Sequence, residues 1–600
     1  AASSDLYLVQ NAIRYGSKRR ATTPWSVPAE ILLMILMPSY CSVSEMRTRG
    51  LGVPKVVEIE ADEFQEGREA LFEVLVHVHR STLAPLIANR SRAFFQIKAN
   101  GGIRVLHLFC AFWKAFFAGR IKYFMRKGGL QWPSWVHAYL RGRRREDAMA
   151  VQAVVQVRAR QLGLDTIAHL RDMKNAFACT LGDRRQEAVN EIIPPPTEYF
   201  AGYRGLFRQR MVNCAIDLPA SDNSVTTLVP SCGNVIGSSE GPIFFARSFC
   251  KSVEKWLVKF GEAGVTPAIH LLHPDGSHHS GDAVAYADDI LSRRIVDSRN
   301  PTEVIHIIRE DDRVLNEALA EGGWKQNMEK CEIVPTLGSR GAFRALEQSL
   351  LDDPTYSGAV AAEARHLGGF VTWNSSSHFE LAKRKAAMVA GWKTMGRFWT
   401  SRVRKSFKRS VFIACVIEAG LSGLVASALT LAQVAKLDSQ ACKFLRVLKL
   451  GHACKKFEEA AAIPDLESMN PYEIAAARDD QKTQHPVAMS GMALHRDFAL
   501  LPMQFELATR RVQWLRSMVL RPEEHQQVVA AVWGTFVVER NGERLISNTL
   551  KVDGTLDENC CGLARCFEES LLLFEGISGT EEFFEAWEYE GRSWSAIFRS

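Results

Sequence analysis

Three observations predict an α+β fold for this chain of 600 residues. Hydrophobic residues make up 47% and charged residues 24%, which is ordinary for a globular protein with a substantial core. Residues 1 to about 60 give no clear pattern, and strand-like and helix-like segments alternate from about Asp62 to Trp373. From Glu380 to about Leu450 the apolar periodicity is mostly helical. Alternating strands and helices followed by a helical block are typical of α+β proteins.

The first half of the chain contains several recognisable elements. "AFFQIKANGGIRVLHLF" (Ala93–Phe109) predicts a β-hairpin, because its "NGG" is typical of a turn. Helical periodicity over Glu146–Leu164 precedes a strand-like segment, Leu164–Phe177. "IPPPTEYFAGYRGLFRQR" (Ile193–Arg210) predicts a helix led by prolines, since Pro fits the first helical turn.

Further elements follow in the second half. Gly241–Phe260 predicts a helix with an apolar face, and a strand–turn–strand is expected at Tyr286–Asp289. Another helix is expected around Glu303–Leu319, and short strands end in "RHLGGFVTW" (Arg365–Trp373). The apolar stretch Val411–Ala435 is long enough to span a bilayer, but it contains Glu418 and follows a basic segment, which favours a buried helix.

Charge and cysteine content limit the functional classes. The net charge is +7, and Lys383–Arg409 holds ten basic residues and no acidic one; Arg120–Arg145 is also basic. Such clusters indicate either a phosphate-bearing partner or a solvated basic face. Thirteen cysteines without CxxC pairs indicate free thiols in a reducing compartment. With no signal peptide or transmembrane segment recognised, we expect an intracellular protein without a membrane partner.

An adjacent pair of aspartates, Asp288 and Asp289, lies between two strand-like runs in "GDAVAYADDILSRR". Two carboxylates at a hairpin tip repel each other unless a cation neutralises them, which favours Mg²⁺; a solvated polar turn is the alternative. Asp172 ends another strand-like run, 116 residues upstream of Asp288. Nucleotidyl transfer with two metal ions uses such a shared set of carboxylates, although Asp172 also suits a helix cap or strand end.

Seven segments, taken in order, resemble the reverse transcriptases of non-LTR (LINE-type) retrotransposons. The palm-like motifs are "RDMKNAF", "VIGSSEGPIFF", "AVAYADDI", "GGWKQNMEKCEIV" and "RHLGGFVTW", and two upstream segments resemble the fingers. The resemblance covers roughly Phe94 to Gly451. It implies a right-hand polymerase fold with fingers, an antiparallel-sheet palm and a helical thumb, and an RNA-directed DNA polymerase activity.

The resemblance also implies domain boundaries. They are an unassigned N-terminal extension (1–60), fingers (61–165), palm (166–378, with an inserted fingers segment at about 181–235), thumb (379–454) and an unassigned C-terminal region (455–600).

Roles for individual residues follow from the same resemblance. Asp172 and Asp288 match the metal-binding aspartates for two Mg²⁺ ions, with Mn²⁺ as an alternative, and Asp289 matches the second acid of the hairpin. Lys330 matches a lysine that would protonate the departing pyrophosphate. Phe177 stands at the position that excludes a 2′-hydroxyl and so favours deoxynucleotides; a plain core aromatic is the alternative.

Contacts to the incoming nucleotide are implied for two regions. Lys98 and Arg104 match the fingers residues that hold the triphosphate, where a point charge and a forked guanidinium neutralise phosphate; two solvated cations on a hairpin are the alternative. Glu240 and Gly241 lie in the second palm motif, which contacts the nucleotide. The family usually has Gln at position 240, and an acid facing a triphosphate would weaken binding unless it is protonated or turned away.

Contacts to the nucleic acid are implied farther along the chain. Gly368 and Gly369 resemble the primer-grip turn, where glycine lets a strand pair approach the primer backbone. Lys385, Lys393 and Arg397, in the thumb-like segment, suit contact with the backbone of a duplex.

Three functions therefore remain open. The first is a reverse transcriptase acting on an RNA template, a DNA primer and dNTPs, and expected in the nucleus when it acts on target DNA. The second is a catalytically degenerate, retroelement-derived RNA-binding protein, which Glu240 favours. The third, an RNA-dependent RNA polymerase, is disfavoured by Phe177. Template, priming mechanism and oligomeric state are not predicted.

Overall fold

The fold is taken from a computed structural model, and it is described for the following residues: 2–15, 26–27, 32, 35–36, 61–97, 101–127, 129–195, 197, 202–212, 214–220, 222, 224–234, 236–352, 358–374, 377–450, 472–473, 490–551, 553, 555–557 and 562–578.

The strands are β1 (Arg90–Ile97), β2 (Ile103–Phe109), β3 (Asp165–Arg171), β4 (Ala215–Pro219), β5 (Val225–Leu228), β6 (Ile269–Leu272), β7 (His278–Ser280), β8 (Ala283–Tyr286), β9 (Asp289–Val296), β10 (Glu332–Thr336), β11 (Ala359–Val360), β12 (Glu363–His366), β13 (Gly369–Thr372), β14 (Thr535–Arg540) and β15 (Glu543–Asn548).

The α-helices are α1 (Ala2–Tyr15), α2 (Ala61–Ser81), α3 (Ala111–Lys127), α4 (Arg145–Gln161), α5 (Ala176–Cys179), α6 (Gly182–Ile192), α7 (Tyr203–Val212), α8 (Gly241–Glu262), α9 (Pro301–Ala320), α10 (Arg340–Leu351), α11 (Ser377–Met395), α12 (Lys405–Phe412), α13 (Glu418–Leu421), α14 (Leu431–Leu450), α15 (Gly491–Asp497), α16 (Met503–Leu520), α17 (Gln526–Trp533) and α18 (Gly562–Ser578).

The chain divides into two compact units. The first comprises Ala1–Leu140, Asp172–Val265 and His306–Met328. Its four-stranded sheet has the order β2-β1-β4-β5, with β1 and β4 parallel and the other pairs antiparallel. Its core is rich in aromatic side chains from α3 and α7, which meet edge to face, and α1 adds Leu6 and Val9 to the same core. Part of the N-terminal extension is therefore packed within this unit.

The second unit comprises Arg141–Arg171, Thr266–Ile305 and Glu329–Ser600. Its five-stranded sheet has the order β11-β10-β3-β9-β8, antiparallel except for the short β10–β11 pair. β3 and β9 are buried over almost their full length, as expected for central strands. A second sheet, β15-β14-β6-β7, joins the C-terminal region to this unit, because β14 pairs with β6.

Most of the predicted elements are confirmed. The alternation of sheets and helices agrees with the α+β prediction, and β1 and β2 form the predicted hairpin with Ile97 opposite Ile103. Some predicted bounds are wrong: the helix expected at Ile193–Arg210 begins only at Tyr203, and the strand expected at Leu164–Phe177 ends at Arg171. Pro194 and Pro195 lie outside that helix in irregular backbone.

The apolar stretch Val411–Ala435 is not one helix. The chain turns at Gly423, which has a φ of 75°, before α14 begins, and Phe412 and Val416 are buried in the core of the second unit. By length and composition alone the run Lys405–Ala426 could cross a membrane, and 44% of its 18-residue apolar window is buried inside the protein. This is weak evidence for a membrane span, because the core helix of a soluble protein can be as long and as apolar.

Candidate active site

The aspartate pair lies at a tight hairpin in the second unit. Tyr286, the last residue of β8, is paired with Asp289, the first residue of β9, so the connecting loop is only Ala287 and Asp288. Ala287 has a φ of 60°, as a two-residue hairpin loop requires. Both aspartates are half-buried. The predicted strand–turn–strand is confirmed, and the turn fixes the backbone from which both carboxylates project.

The register of β3 against β9 identifies which strand ends lie at the same edge of the sheet. Arg171, the last residue of β3, pairs with Ile290, which directly follows Asp289. In the sequence, Asp172 is the next residue after Arg171. The last residue of β3 and the first residue of β9 therefore lie at the same end of the sheet as the β8–β9 hairpin loop.

Asp172 is held by hydrogen bonds within the first unit. The Asn327 backbone N–H donates to the Asp172 carbonyl oxygen at 2.8 Å, and the Asn327 side-chain amide donates to Asp172 Oδ2 at 3.1 Å. A β-bridge between Met173 and Gln326 continues this pairing. The amide donor orients the Asp172 carboxylate. Asn327 lies in the motif "GGWKQNMEKCEIV", in which the sequence analysis assigned a role only to Lys330.

Phe177 is half-buried on the short helix α5. Its ring stacks on Phe245 of α8, with centroids 4.1 Å apart and planes 20° apart, and Tyr139 meets it edge-on at 6.2 Å. The Phe177 carbonyl accepts a hydrogen bond from the Asn234 backbone N–H at 2.6 Å. The ring is thus supported by Phe245 on one face, and Phe177 is still partly exposed.

Glu240 does not face solvent. Its side chain is fully buried, and its Oε1 accepts a hydrogen bond from Arg210 Nε at 2.8 Å in an ion pair within the first unit. Arg210 is itself fully buried, donates to the Ala88 carbonyl, and lies over the Phe109 ring with 3.7 Å from its guanidinium carbon to the ring centroid. The repulsive acid expected in a nucleotide site is instead one half of a buried pair.

This pair corrects the role that the resemblance assigned to Glu240. A carboxylate without solvent exposure cannot meet a triphosphate arriving from solution, so Glu240 is a structural residue in this conformation. Gly241, beside it, begins α8, and its N–H donates to Ser238 Oγ at 2.8 Å. Pro242 fits the first turn of the helix because its missing N–H is not needed there. Glu240, Gly241 and Pro242 therefore form the start of α8.

The residues predicted to act on the phosphates are exposed where the structure describes them. Arg104 is exposed on β2, where its register partner is Gln96. Lys98 lies outside the described residues. Lys330 is exposed on a single 3₁₀ turn, Met328–Lys330, that leads into β10 in the second unit.

The predicted primer-grip turn is a second two-residue hairpin. His366 of β12 pairs with Gly369 of β13, and the loop residues Leu367 and Gly368 have φ values of 51° and 86°. Two successive positive φ angles are the signature of the hairpin turn that favours glycine. Arg384 of α11 donates to the Gly368 carbonyl, and it also pairs with Glu380 at 2.5 Å. Arg384 therefore braces the turn, and nothing in the sequence pattern distinguished it from the other basic residues.

The basic segment separates into two faces. Lys385, Lys393 and Arg397 are exposed, whereas Trp392 and Trp399 stack on each other at 4.6 Å and pack against the core of the second unit. Within the described part of the chain none of these three cations forms an ion pair. These three cations are thus exposed, whereas the interleaved aromatics belong to the core.

No protein-family model matches the chain, and no curated protein matches it. Among solved structures it is similar to telomerase from Candida tropicalis in complex with a TWJ fragment of telomeric RNA, with a TM-score of 0.38, 9% sequence identity, and coverage of 84% of this chain and 73% of that chain. It is also similar to telomerase from Candida albicans in complex with the TWJ fragment (TM-score 0.34, 11% identity, 77% and 69% covered). Likenesses of this size assign the chain to no family.

Proposed function

We propose that this chain is an RNA-directed DNA polymerase of the non-LTR retrotransposon type, with an RNA template, a DNA primer and dNTPs as its partners. The observation that carries the proposal is the β8–β9 hairpin, which presents Asp288 and Asp289 at the end of an antiparallel sheet. The order of the sequence motifs supports the same conclusion, since Asp172 directly follows the central strand β3.

The proposed metal ligands are Asp172, Asp288 and Asp289. Carboxylate oxygens are the hard ligands that Mg²⁺ prefers, so the donor set fits two Mg²⁺ ions, with Mn²⁺ as an alternative. When bound, such ions activate the attacking hydroxyl and stabilise charge on the leaving phosphate.

In the proposed reaction the 3′-oxygen of the primer attacks the α-phosphorus of the dNTP. A new P–O bond forms as the bond to the β-phosphate breaks, and pyrophosphate leaves. The hydroxyl proton passes to solvent, and Lys330 donates a proton to the pyrophosphate. Arg104 and Lys98 are proposed to bind the triphosphate, and Gly241 lies in the nucleotide-contacting motif. Phe177 would exclude a 2′-hydroxyl.

Primer extension on an RNA template tests the proposal. Wild type should extend a DNA primer with dNTPs in the presence of Mg²⁺, and Asp288→Asn should abolish extension. Asp275→Asn is a matched control, because Asp275 is an exposed aspartate at another β-turn of the same unit. Absence of any product from wild type, or equal products from wild type and Asp288→Asn, would overturn the proposed activity.

The choice of nucleotide tests the role of Phe177. Truncation of Phe177 to Ala should raise incorporation of rNTPs relative to dNTPs by roughly 10- to 200-fold, the range expected for relief of a steric contact in a pocket. Efficient rNTP use by wild type would instead support an RNA-dependent RNA polymerase.

A catalytically degenerate RNA-binding protein is the second candidate. Glu240 was the feature that favoured it, and the support is weaker because Glu240 is buried in an ion pair with Arg210. RNA binding without extension by wild type under any divalent cation would restore this candidate.

A further inference from the structure

A compact group of three side chains lies in the second unit, in a part of the chain to which the polymerase proposal gives no role. Asp438 and Cys442 are four residues apart on α14, so they share one face of that helix. His495 projects from α15, which begins 41 residues after the end of α14. Among the described residues, one ligand atom from each of these three lies within 4.8 Å of the others.

The three ligand atoms have the spacing of a metal coordination shell. Cys442 Sγ lies 3.5 Å from His495 Nε2, and Cys442 Sγ lies 3.7 Å from Asp438 Oδ2. His495 Nε2 lies 3.1 Å from Asp438 Oδ2. With Zn–S near 2.3 Å and Zn–N and Zn–O near 2.0–2.2 Å, a tetrahedral site has ligand-to-ligand distances of about 3.3–3.6 Å. Shifts of a few tenths of an ångström would place one ion among all three atoms.

The arrangement differs from that of a cysteine nucleophile. In such a site the histidine uses one ring nitrogen for the thiol and the other for the carboxylate. Here the thiol and the carboxylate both approach Nε2, while Nδ1 is buried and has no hydrogen-bond partner among the described residues. The Cys442 thiol also donates to Asp438 Oδ2, so hydrogen bonds can pair the three groups in the absence of an ion, but all three polar atoms face one point, as the ligands of one cation do.

The surroundings also suit a bound ion. The Met503 backbone N–H donates to Asp438 Oδ1 at 2.8 Å, which orients the carboxylate as outer hydrogen bonds do in metal sites. Cys442 and His495 are buried, and Asp438 is half-buried, so an ion would be shielded yet reachable from one side.

We propose that Asp438, Cys442 and His495 bind one Zn²⁺ ion, with water as the fourth ligand. A thiolate, an imidazole and a carboxylate together match zinc better than Mg²⁺ or Ca²⁺, which require oxygen ligands. On binding, the Cys442 thiol releases its proton to solvent. The ion would link α14 to α15, on either side of residues 451–489, and binding to the folded chain would stabilise the arrangement in which the three ligands meet.

Cobalt substitution tests this site in the full chain. After removal of metal with a chelator, wild type should take up one equivalent of Co²⁺ with a sulfur-to-cobalt charge-transfer band, and Zn²⁺ should displace it. Cys442→Ser should lose the band, and Asp438→Asn should bind Co²⁺ at least about tenfold more weakly. Cys415→Ser, a half-buried cysteine of the same unit outside the group, is the matched control and should retain the band.

The Co²⁺ titration of wild type tests the site even if a variant fails to fold. No charge-transfer band in wild type, or a band that Cys442→Ser keeps, would overturn the site. The assay requires no nucleic acid, so its result is independent of primer extension.

Discussion

The buried ion pair between Arg210 and Glu240 allows a quantitative test. We expect Glu240→Gln to destabilise the first unit, although Gln is the usual residue of the related motif. At the 2.8 Å separation, Coulomb attraction is worth about 6 kcal/mol at an effective dielectric constant of about 20. Desolvation of both charges offsets most of that attraction, but removal of one partner leaves the other charge buried and unpaired, at a cost of about 3–5 kcal/mol.

Hydrogen exchange measured by mass spectrometry reports the effect where it occurs. Peptides from α7 and from the start of α8 should exchange faster in Glu240→Gln by about two to nearly four orders of magnitude, since each 1.36 kcal/mol is about tenfold. Glu262→Gln, an exposed acid at the end of the same helix, is the control and should leave exchange unchanged. The double variant Arg210→Met/Glu240→Leu should recover most of the loss, because it removes both charges at once.

Exchange in Glu240→Gln equal to that in the Glu262→Gln control would contradict a stabilising role for the ion pair. So would primer extension by Glu240→Gln above that of wild type, because that result would place the acid in contact with the nucleotide.

Three further predictions concern the second unit. Gly368→Ala should lower stability by about 1–2 kcal/mol in chemical denaturation, because position 368 has a φ of 86°; no loss would mean that the turn relaxes. Lys393→Ala should reduce by about one the slope of log affinity against log salt concentration for an RNA–DNA duplex. Lys259→Ala, which changes an exposed lysine outside the basic segment, is the control. Equal slopes for both variants and wild type would contradict the proposed interface. Burial, with Arg293 nearby, lowers the pKa of His366 to about 3. Between pH 6.5 and 3 the unfolded chain therefore binds a proton that the folded chain does not, so stability should fall with decreasing pH by up to about 1.4 kcal/mol per pH unit. A His366→Gln variant with the same pH dependence would exclude His366 as the cause.

The elements that the sequence predicts well are those encoded locally. The β1–β2 hairpin and the turn at Gly368 depend on adjacent residues, and the β8–β9 hairpin follows from two short apolar runs around one turn. The strand-like segment Leu164–Phe177 contains β3, although the strand itself ends at Arg171.

The elements that the sequence misses depend on distant partners. Glu240 and Arg210 are 30 residues apart, and neither helical nor strand periodicity links them. Phe245 supports Phe177 from another helix, so the support appears only in the fold. The start of α7 at Tyr203 was missed because Pro is permitted in the first turn of a helix but does not require one.

The left-handed backbone at Ala287 lowers the stability of the folded chain but restricts the conformations of the loop that carries Asp288. A residue with a Cβ atom costs about 1–2 kcal/mol more than glycine in that conformation, and the β8–β9 hairpin nevertheless places alanine there. Glycine would relieve the strain, but it would also widen the range of angles open to the loop that carries Asp288. Ala287→Gly should therefore give a more stable chain that extends primers more slowly. Selection for thermal stability alone would drive this position away from its present residue.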